Sequence, residues 1–317
     1  MSAIAFLTDP TFAGFLSASM RLAIPILLAA LGGLFSERSG VLNIGLEGMM
    51  LVGAFFGFVA AYASGHLEIG VLAAIVAGVA FALVLGFYTI TLGANQVVVG
   101  ISMNLLAVGL TAFLYRLAFG PGAASPRVTS YPPLDLGFLG DIPLIGPLLF
   151  RHDALAYLAL ALIGVSWIVI AKTRFGLNIR AVGEHPQAAE TLGVSVEPIR
   201  YAAVAISGGL AGLGGAFLSL SATGVFLENM TAGRGYIALA ILILGRRHPF
   251  GVLLASLLFG AAEALQLRAQ LLPIGVPVQF LLMLPYVLTI VVLAVFAARG
   301  GAPAALGAPY RRGHSGD

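Results

Sequence analysis

The chain has 317 residues, of which 60% are hydrophobic and 9% are charged, and it contains no cysteine. A soluble protein carries about 25% charged residues, so this chain has too little polar surface to cover a water-soluble globule. The lack of cysteine excludes a disulfide scaffold and a thiolate metal site. The composition predicts a polytopic membrane protein. Its net charge of +3 is explained by the basic loops that orient such proteins, without a nucleic-acid partner.

Nine apolar stretches are long enough to cross a hydrocarbon core about 30 Å thick, which takes roughly 20 helical residues. They lie at 12–34, 41–62, 68–91, 97–118, 154–172, 199–221, 228–245, 249–267 and 278–298. The second and the seventh are interrupted by polar residues or glycines, so we expect them to be bent or broken. A further short crossing inside 35–62 would make ten spans. The predicted fold is therefore all-α, with a single transmembrane domain over residues 1–298.

Basic residues near the span ends predict the orientation of the chain in its membrane. The segment that joins the fifth and sixth spans carries Lys172, Arg174, Arg180 and Arg200, which makes it cytoplasmic. Alternation from that segment puts the N-terminus outside and the C-terminus in the cytoplasm. The loop at 119–153 then lies outside, and its apolar residues predict a short interfacial helix. Residues 299–317 read as a disordered cytoplasmic tail.

The two halves of the chain resemble each other. The stretch that begins at Arg21 (RLAIPILLAALGGLFS) parallels the one at Arg200 (RYAAVAISGGLAGLGGAFLS), and the stretch at His66 parallels the one at His248. A weaker match joins Gly40 onward with Gly235 onward. Because five spans separate the copies, they begin on opposite sides of the membrane. This is an inverted repeat, the usual arrangement in transporters that alternate access around a midplane site.

A small set of polar side chains lies inside the predicted spans, where such groups are costly unless they face protein or a cavity. The set consists of Asn43, Glu47, Gln96, Asn104, Glu263 and Gln266. It is rich in amides, which both donate and accept hydrogen bonds, so it predicts a passage for a neutral polar solute. The alternative is that each residue joins helices or binds the backbone of a broken one.

No sequence feature predicts an enzyme or a cofactor. The five histidines fall in loops or at span ends, and no pair has the spacing of metal ligands. The one lysine, Lys172, is not in a G-x-x-x-x-G-K-[ST] loop, so the chain cannot bind ATP as a P-loop protein does. If transport is driven by ATP, another chain hydrolyses it.

The cytoplasmic segment 172–200 contains a short predicted helix. Pro186 suits its first turn, Gln187 to Leu192 continue it, and Gly193 ends it. Ala188, Ala189 and Leu192 are expected to form its small apolar face. Because a two-turn helix is unstable alone, it must pack either on its own bundle or on another subunit.

This segment resembles the coupling loop in permease subunits of bacterial ABC importers of the branched-chain amino-acid, ribose and nucleoside group. There, an A-x-G-x-x-x-x-A-A-x-x-L-G loop docks on the ATPase, and Ala181, Gly183, Ala188, Ala189, Leu192 and Gly193 match it. The resemblance implies a coupling site made of Gly183, Glu184, His185, Pro186, Ala188, Ala189, Leu192 and Gly193. Three further stretches, Glu37–Leu51, Gly93–Leu110 and Asn229–Gly245, resemble the shorter of two paralogous permeases in nucleoside systems, often labelled simple-sugar permeases.

The resemblance implies three protein partners besides membrane lipid: an ABC ATPase with two fused nucleotide-binding domains, a larger paralogous permease, and an extracytoplasmic solute-binding lipoprotein. The solute, a nucleoside, nucleobase or simple sugar, would pass between the two permeases along Gln96–Tyr115 and Val278–Ala294. That conduit would be narrow and mostly apolar, with Met103 in its wall. Asn104 is expected to face the partner permease and to contact the solute, with an interhelical hydrogen bond inside this chain as the alternative.

A second hypothesis is a self-sufficient carrier driven by H⁺ or Na⁺ through Glu47 and Glu263, because a buried carboxylate can relay protons. A secondary carrier, however, has no use for an exposed docking helix. The short helix in 172–200 therefore favours the ABC importer.

Overall fold

The computed structural model describes residues 10–120, 126–134, 142, 146, 150–270, 277–296 and 301–310. These residues form helices and no β-sheet, which confirms the all-α prediction. The helices are α1 (Pro10–Arg38), α2 (Leu46–Ser64), α3 (Leu67–Gly86), α4 (Gln96–Phe119), α5 (Ala154–Lys172), α6 (Arg174–Glu184), α7 (Pro186–Thr191), α8 (Val196–Ala216), α9 (Arg234–Leu244), α10 (Pro249–Ala269), α11 (Val278–Leu282) and α12 (Leu284–Phe296). Two of them, α3 and α8, continue into π-helical turns at Phe87–Thr91 and Phe217–Thr223.

Seven of the described helices are long and apolar enough to cross a membrane, while α9 and the region 278–292 are shorter apolar helices. The long helices fall at seven of the nine predicted spans, and the two shorter ones at the other two. Nine crossings therefore stay a prediction. The central helices α1, α2 and α8 are mostly buried, whereas α4, α5 and α10 present large apolar side chains outward, as lipid contact requires.

The second and seventh predicted spans begin later than the sequence suggested. α2 begins at Leu46, after the non-helical residues 39–45, and α9 begins at Arg234, after the turns at 224–233. With 11 residues, α9 is only about 16 Å long, half the thickness of a hydrocarbon core. The expectation that these two spans are broken is confirmed. The same order of a long helix, an irregular segment and a further pair of helices occurs in α1–α3 and in α8–α10.

Glycines allow the central helices to approach closely. A Cβ at Gly53 of α2 would lie 2.4 Å from the Cα of Gly212 in α8. A Cβ at Gly78 of α3 would lie 2.2 Å from the carbonyl oxygen of Gly208. Small residues at helix crossings are the usual means of packing where the hydrophobic effect between helices is weak. Part of the high glycine content of the chain, 41 residues, thus has a structural use at these crossings.

One end of the bundle carries the predicted cytoplasmic features. Arg247 Nε donates to a Glu37 carboxylate oxygen at 2.6 Å, and Arg38 donates to the Arg247 carbonyl at 2.7 Å. The short helices α6 and α7 lie at the same end, because Gly183 of α6 contacts the backbone of Arg38.

The composition predicts a disordered tail from residue 299 onward, but the structure differs at residues 301–310. This stretch lies on the same end of the bundle, where Ala305 donates its backbone N–H to Gly183 and Gly307 donates to Gly40. Composition alone cannot reveal such contacts, since they use backbone groups. Residues 299, 300 and 311–317 lie outside the described residues, as does most of the predicted interfacial helix in 119–153.

Candidate functional site

Residues 39–45, which we call the break, form a buried non-helical segment between α1 and α2. Its backbone groups lack helical partners, and in an apolar environment each unpaired group is costly. Side chains supply the partners. Gln96 Oε1 accepts from the Leu42 N–H at 2.6 Å, and Asn104 Nδ2 donates to the Ile44 carbonyl at 3.0 Å.

Asn43 lies within the break and is fully buried. Its Oδ1 accepts from the Gly45 N–H at 3.0 Å, and its Nδ2 donates to Ser207 Oγ of α8 at 2.9 Å. The amide therefore shapes the break locally and also attaches it to the second half of the chain.

Asn104 of α4 binds both sides of the α2 start. Its Oδ1 accepts from the Gly48 N–H at 2.8 Å, while its Nδ2 donates to the Ile44 carbonyl and, at 2.8 Å, to the Tyr236 hydroxyl of α9. The Gly48 N–H is one of the groups that a helix leaves unpaired at its start. Asn104 thus caps α2 and links it to α4 and α9. With 4% exposure, it is surrounded by this chain.

Glu47, in the first turn of α2, caps the start of α9. One carboxylate oxygen accepts from the Gly233 N–H at 2.8 Å, and the other accepts from the Gly235 N–H at 2.6 Å. A helix N-terminus favours negative charge, so this position suits the Glu47 carboxylate. Gly235 is required here, because a Cβ would lie 2.4 Å from the Glu47 nitrogen.

The remaining two predicted polar residues, Glu263 and Gln266, line a cavity of about 390 Å³, within the usual size of small-molecule sites. Arg234, in the first turn of α9, pairs with Glu263 in its wall. Tyr286 also lines the cavity, and its hydroxyl donates to the Ala232 carbonyl at 3.1 Å. It lies in the stretch formed by α11 and α12, residues 278–296, which we call the final apolar segment. Neither Tyr286, which lies within the predicted conduit segment Val278–Ala294, nor Arg234 was singled out from the sequence. Glu263 lies 29 positions after Arg234, and the sequence gives no sign of the pair because it forms only when α9 and α10 pack.

Each of the two segments expected to line the conduit, α4 and the final apolar segment, has an open face that carries large apolar side chains. Met103 is 5% exposed and packs in the main core, so it does not lie on the open face of α4. Large apolar side chains cover that open face and the one on the final segment. They include Val98, Leu105, Phe113 and Leu117 of α4, and Phe280, Met283 and Ile290 of the final segment.

The docking helix α7 forms as predicted, with Pro186 in its first turn and Gly193 at a φ of +84° directly after its end. Its expected apolar face requires a correction. Ala189 is buried and packs inward with Val182 and Val196, whereas Leu192 is 85% exposed and Ala188 is also exposed. One side of the helix therefore lies on its own bundle and the other is open, and docking of the open side on another subunit stays a prediction.

The remaining residues of the predicted coupling site are also divided. Gly183 is buried, and a Cβ there would lie 2.1 Å from the Arg38 carbonyl oxygen, so only glycine fits. Pro186 is buried as well. Glu184 and His185 are exposed beside the open side of α7.

Comparison with known proteins identifies the family. The model for "Branched-chain amino acid transport system / permease component" matches residues 15–293. The chain belongs to this family. It is 42% identical to the guanosine ABC transporter permease protein NupQ of Bacillus subtilis, over 93% of this chain and 96% of that one. It is 38% identical to the nucleoside ABC transporter permease protein NupC of Lactococcus lactis, over 90% and 93%. It is 43% identical to a putative glucose ABC transporter permease protein of Haloferax volcanii, over 83% and 80%. No solved structure matches the chain.

Membership of this permease family confirms the resemblance seen in the sequence. The chain is a multi-pass membrane protein and a permease subunit of an ABC importer, and ATP hydrolysis takes place on a separate ATPase partner. The carboxylates that a self-sufficient carrier would need are engaged within the permease, Glu47 with backbone N–H groups and Glu263 with Arg234.

Proposed function

We propose that this permease subunit carries nucleosides or nucleobases into the cell, with a pentose or another simple sugar as the second solute class. The observation that carries the proposal is the similarity to a guanosine permease over nearly the full length of both chains. The similarity to a putative glucose permease covers less of each chain and supports the second class.

The cavity beside α9 is the proposed solute-contact region of this subunit. Its polar groups are the Arg234–Glu263 pair, Gln266 and the Tyr286 hydroxyl. Amide and hydroxyl groups both donate and accept hydrogen bonds, as do the hydroxyls and base edges of a nucleoside. The cavity lies between the α9–α10 pair and the final apolar segment, which the resemblance assigned to the wall of the conduit.

In this proposal the other predicted pathway residues have a supporting role. Asn43, Gln96 and Asn104 hold the break, and Glu47 holds the start of α9. They bind the backbone groups at and just before the starts of α2 and α9, where the two halves of the chain meet. Passage between two permeases would then occur along the open faces of α4 and the final segment, with the larger paralogous permease opposite.

The open side of α7 is the proposed contact with the ATPase. Leu192 and Ala188 offer an apolar surface, with Glu184 and His185 at its edge. We further propose that the ATPase has two fused nucleotide-binding domains, and that an extracytoplasmic lipoprotein delivers the solute at the opposite end. This arrangement requires the N-terminus outside and the C-terminus in the cytoplasm.

Reconstitution tests the proposed function. The permease, its partner permease, the ATPase and the binding protein are placed in liposomes, and uptake of labelled guanosine, adenosine, ribose and leucine is measured with ATP. We expect nucleoside uptake that requires every protein, and calorimetry should show that the binding protein alone binds guanosine or adenosine.

Two results would contradict this assignment. Tight binding of leucine would move the permease to the amino-acid branch. Uptake by this chain alone, driven by a proton gradient, would support the secondary carrier instead.

A further inference from the structure

Residues 301–310, which we call the strap, bridge two separate parts of the permease. The strap's Ala305 donates its N–H to the Gly183 carbonyl at 2.9 Å, and its Gly307 donates to the Gly40 carbonyl at 3.0 Å. Gly183 lies in the last turn of α6, the helix before the docking helix, while Gly40 is the second residue of the break. Two backbone hydrogen bonds from one short segment therefore connect the docking region to the break.

Further contacts attach the strap to the docking region. Ala304 donates its N–H to a Glu184 carboxylate oxygen at 3.2 Å, and the Tyr310 hydroxyl donates to Glu190 of α7. Tyr310 also packs on the small core that contains Ala189. The strap thus contacts the last residue of α6 and Glu190 near the end of α7.

A buried arginine is covered by the strap. Arg200 of α8 is 1% exposed, and its Nη1 donates to the Ala308 carbonyl at 3.3 Å. Its guanidinium carbon lies 5.9 Å from the centre of the Tyr310 ring. Among the described residues, no hydrogen-bond partner is present for Nε or Nη2. A buried cation needs compensating groups. The strap's carbonyl and aromatic ring supply them to Arg200, which favours the strap staying in contact with the bundle.

A displacement of the strap would act on the break at Gly40. A Cβ on Gly40 would lie 3.1 Å from the Ala305 carbonyl oxygen and 3.0 Å from Arg200 Nη2, so the strap, the break and Arg200 are packed tightly. Near the far end of the break, Asn104 of α4 donates to the Ile44 carbonyl, two residues before α2 begins. A continuous chain of contacts runs from α7 through the strap to the capped helix starts.

We propose that the strap is a positioning element of the coupling machinery, which transmits movement of the docking helix to the break. When the ATPase displaces α7, the strap pulls on Gly40 and so alters the break that sets the start of α2. The inference rests on the proposed function, because it needs an ATPase bound at α7. It assigns a role to a segment that the composition alone predicts to be a disordered tail.

The test compares the full-length importer with a variant that ends at Gly301 and with Tyr310→Ala and Tyr310→Phe. Each complex is reconstituted in liposomes, and both solute uptake and ATP hydrolysis are measured.

We expect the truncated complex to assemble and hydrolyse ATP while the solute moved per ATP falls on the order of fivefold or more, the lower end of typical coupling effects. Tyr310→Phe, which keeps the ring over Arg200 but removes the hydroxyl, should fall between wild type and Tyr310→Ala. Ala302→Ser, an exposed strap residue, is the matched control and should match wild type.

Two outcomes would overturn the inference. One is an unchanged amount of solute per ATP in the truncated complex. The other is a parallel loss of uptake, ATP hydrolysis and melting temperature, which would make the strap merely structural. Failure of the proposed function would look different, because the full-length importer itself would then take up no labelled nucleoside.

Discussion

At the scale of single residues, polar side chains in this permease mostly pair with backbone groups. Asn104 binds the N–H of Gly48, 56 positions away, and Glu47 binds the N–H of Gly233, 186 positions away. In an apolar environment an unpaired N–H costs several kcal/mol, so a broken helix needs such caps. This is the reason these residues stand inside hydrophobic stretches.

Glu47 gives the first prediction. Glu47→Ala leaves two buried N–H groups at the start of α9 without acceptors, each at a cost of about 1–3 kcal/mol. Glu47→Gln keeps one acceptor oxygen but turns an amide donor toward the second N–H. We expect melting temperature in detergent to fall for both variants, and further for Glu47→Ala. Equal stability of Glu47→Ala and wild type would contradict the cap.

Asn104→Leu gives the second prediction. The substitution removes an acceptor for Gly48 and two donor contacts, to Ile44 and Tyr236. We expect a lower melting temperature and lower expression, with unchanged solute selectivity in the protein that folds. Melting curves and competition uptake assays measure the two effects. A variant with wild-type stability but altered selectivity would instead support the solute-contact role that the sequence suggested for Asn104.

At the scale of helices, the two sides of α7 should respond differently to the same charge. Leu192→Asp lies on the open side, so the permease should fold normally but lose ATPase binding and solute-dependent ATP hydrolysis. Ala189→Asp places a carboxylate among Val182 and Val196, at a cost of several kcal/mol, so folded yield should fall first. Copurification with the ATPase and size-exclusion profiles measure these effects.

The control for the docking helix is Leu227→Asp, since Leu227 is 51% exposed in the turns before α9. It should leave ATPase binding unchanged. Normal coupled turnover of Leu192→Asp would show that the ATPase contact lies elsewhere.

Close helix crossings give the fourth prediction. A Cβ at Gly215 of α8 would lie 1.9 Å from the Met50 carbonyl oxygen of α2, so Gly215→Ala must separate the two helices. We expect a large loss of melting temperature and yield. Gly164→Ala in α5 is the matched control, because a Cβ there meets nothing within 4 Å. Since alanine favours helix by about 1 kcal/mol over glycine, the control should be neutral or slightly stabilising, and equal effects in both variants would argue against the crossing.

At the scale of the whole molecule, the orientation can be tested because the chain has no native cysteine. Thr129 and Leu192 are both exposed, the first beside the described part of the long loop and the second after α7. We expect a membrane-impermeant maleimide to label Thr129→Cys in spheroplasts, and Leu192→Cys only after the membrane is opened. The reverse pattern would show that the N-terminus lies in the cytoplasm.

The sequence alone determined the class of protein, the positions of its apolar helices and the family. Hydrophobic composition and stretch length leave no alternative to membrane helices, and the docking loop is a local pattern that can be read without a fold. The breaks in the second and seventh spans were also predictable, because glycine and polar residues interrupt an otherwise apolar run.

Only the tertiary structure decided what the polar residues touch. The partners of Glu47 are the backbone N–H groups of Gly233 and Gly235, and a backbone group cannot be recognised from residue types. The inward side of Ala189 depends on how α7 lies on α6 and α8, and a helix of six residues has too short a pattern to show this. The strap's position at Gly40 and Gly183 likewise follows from backbone hydrogen bonds between segments more than 100 residues apart, which composition cannot encode.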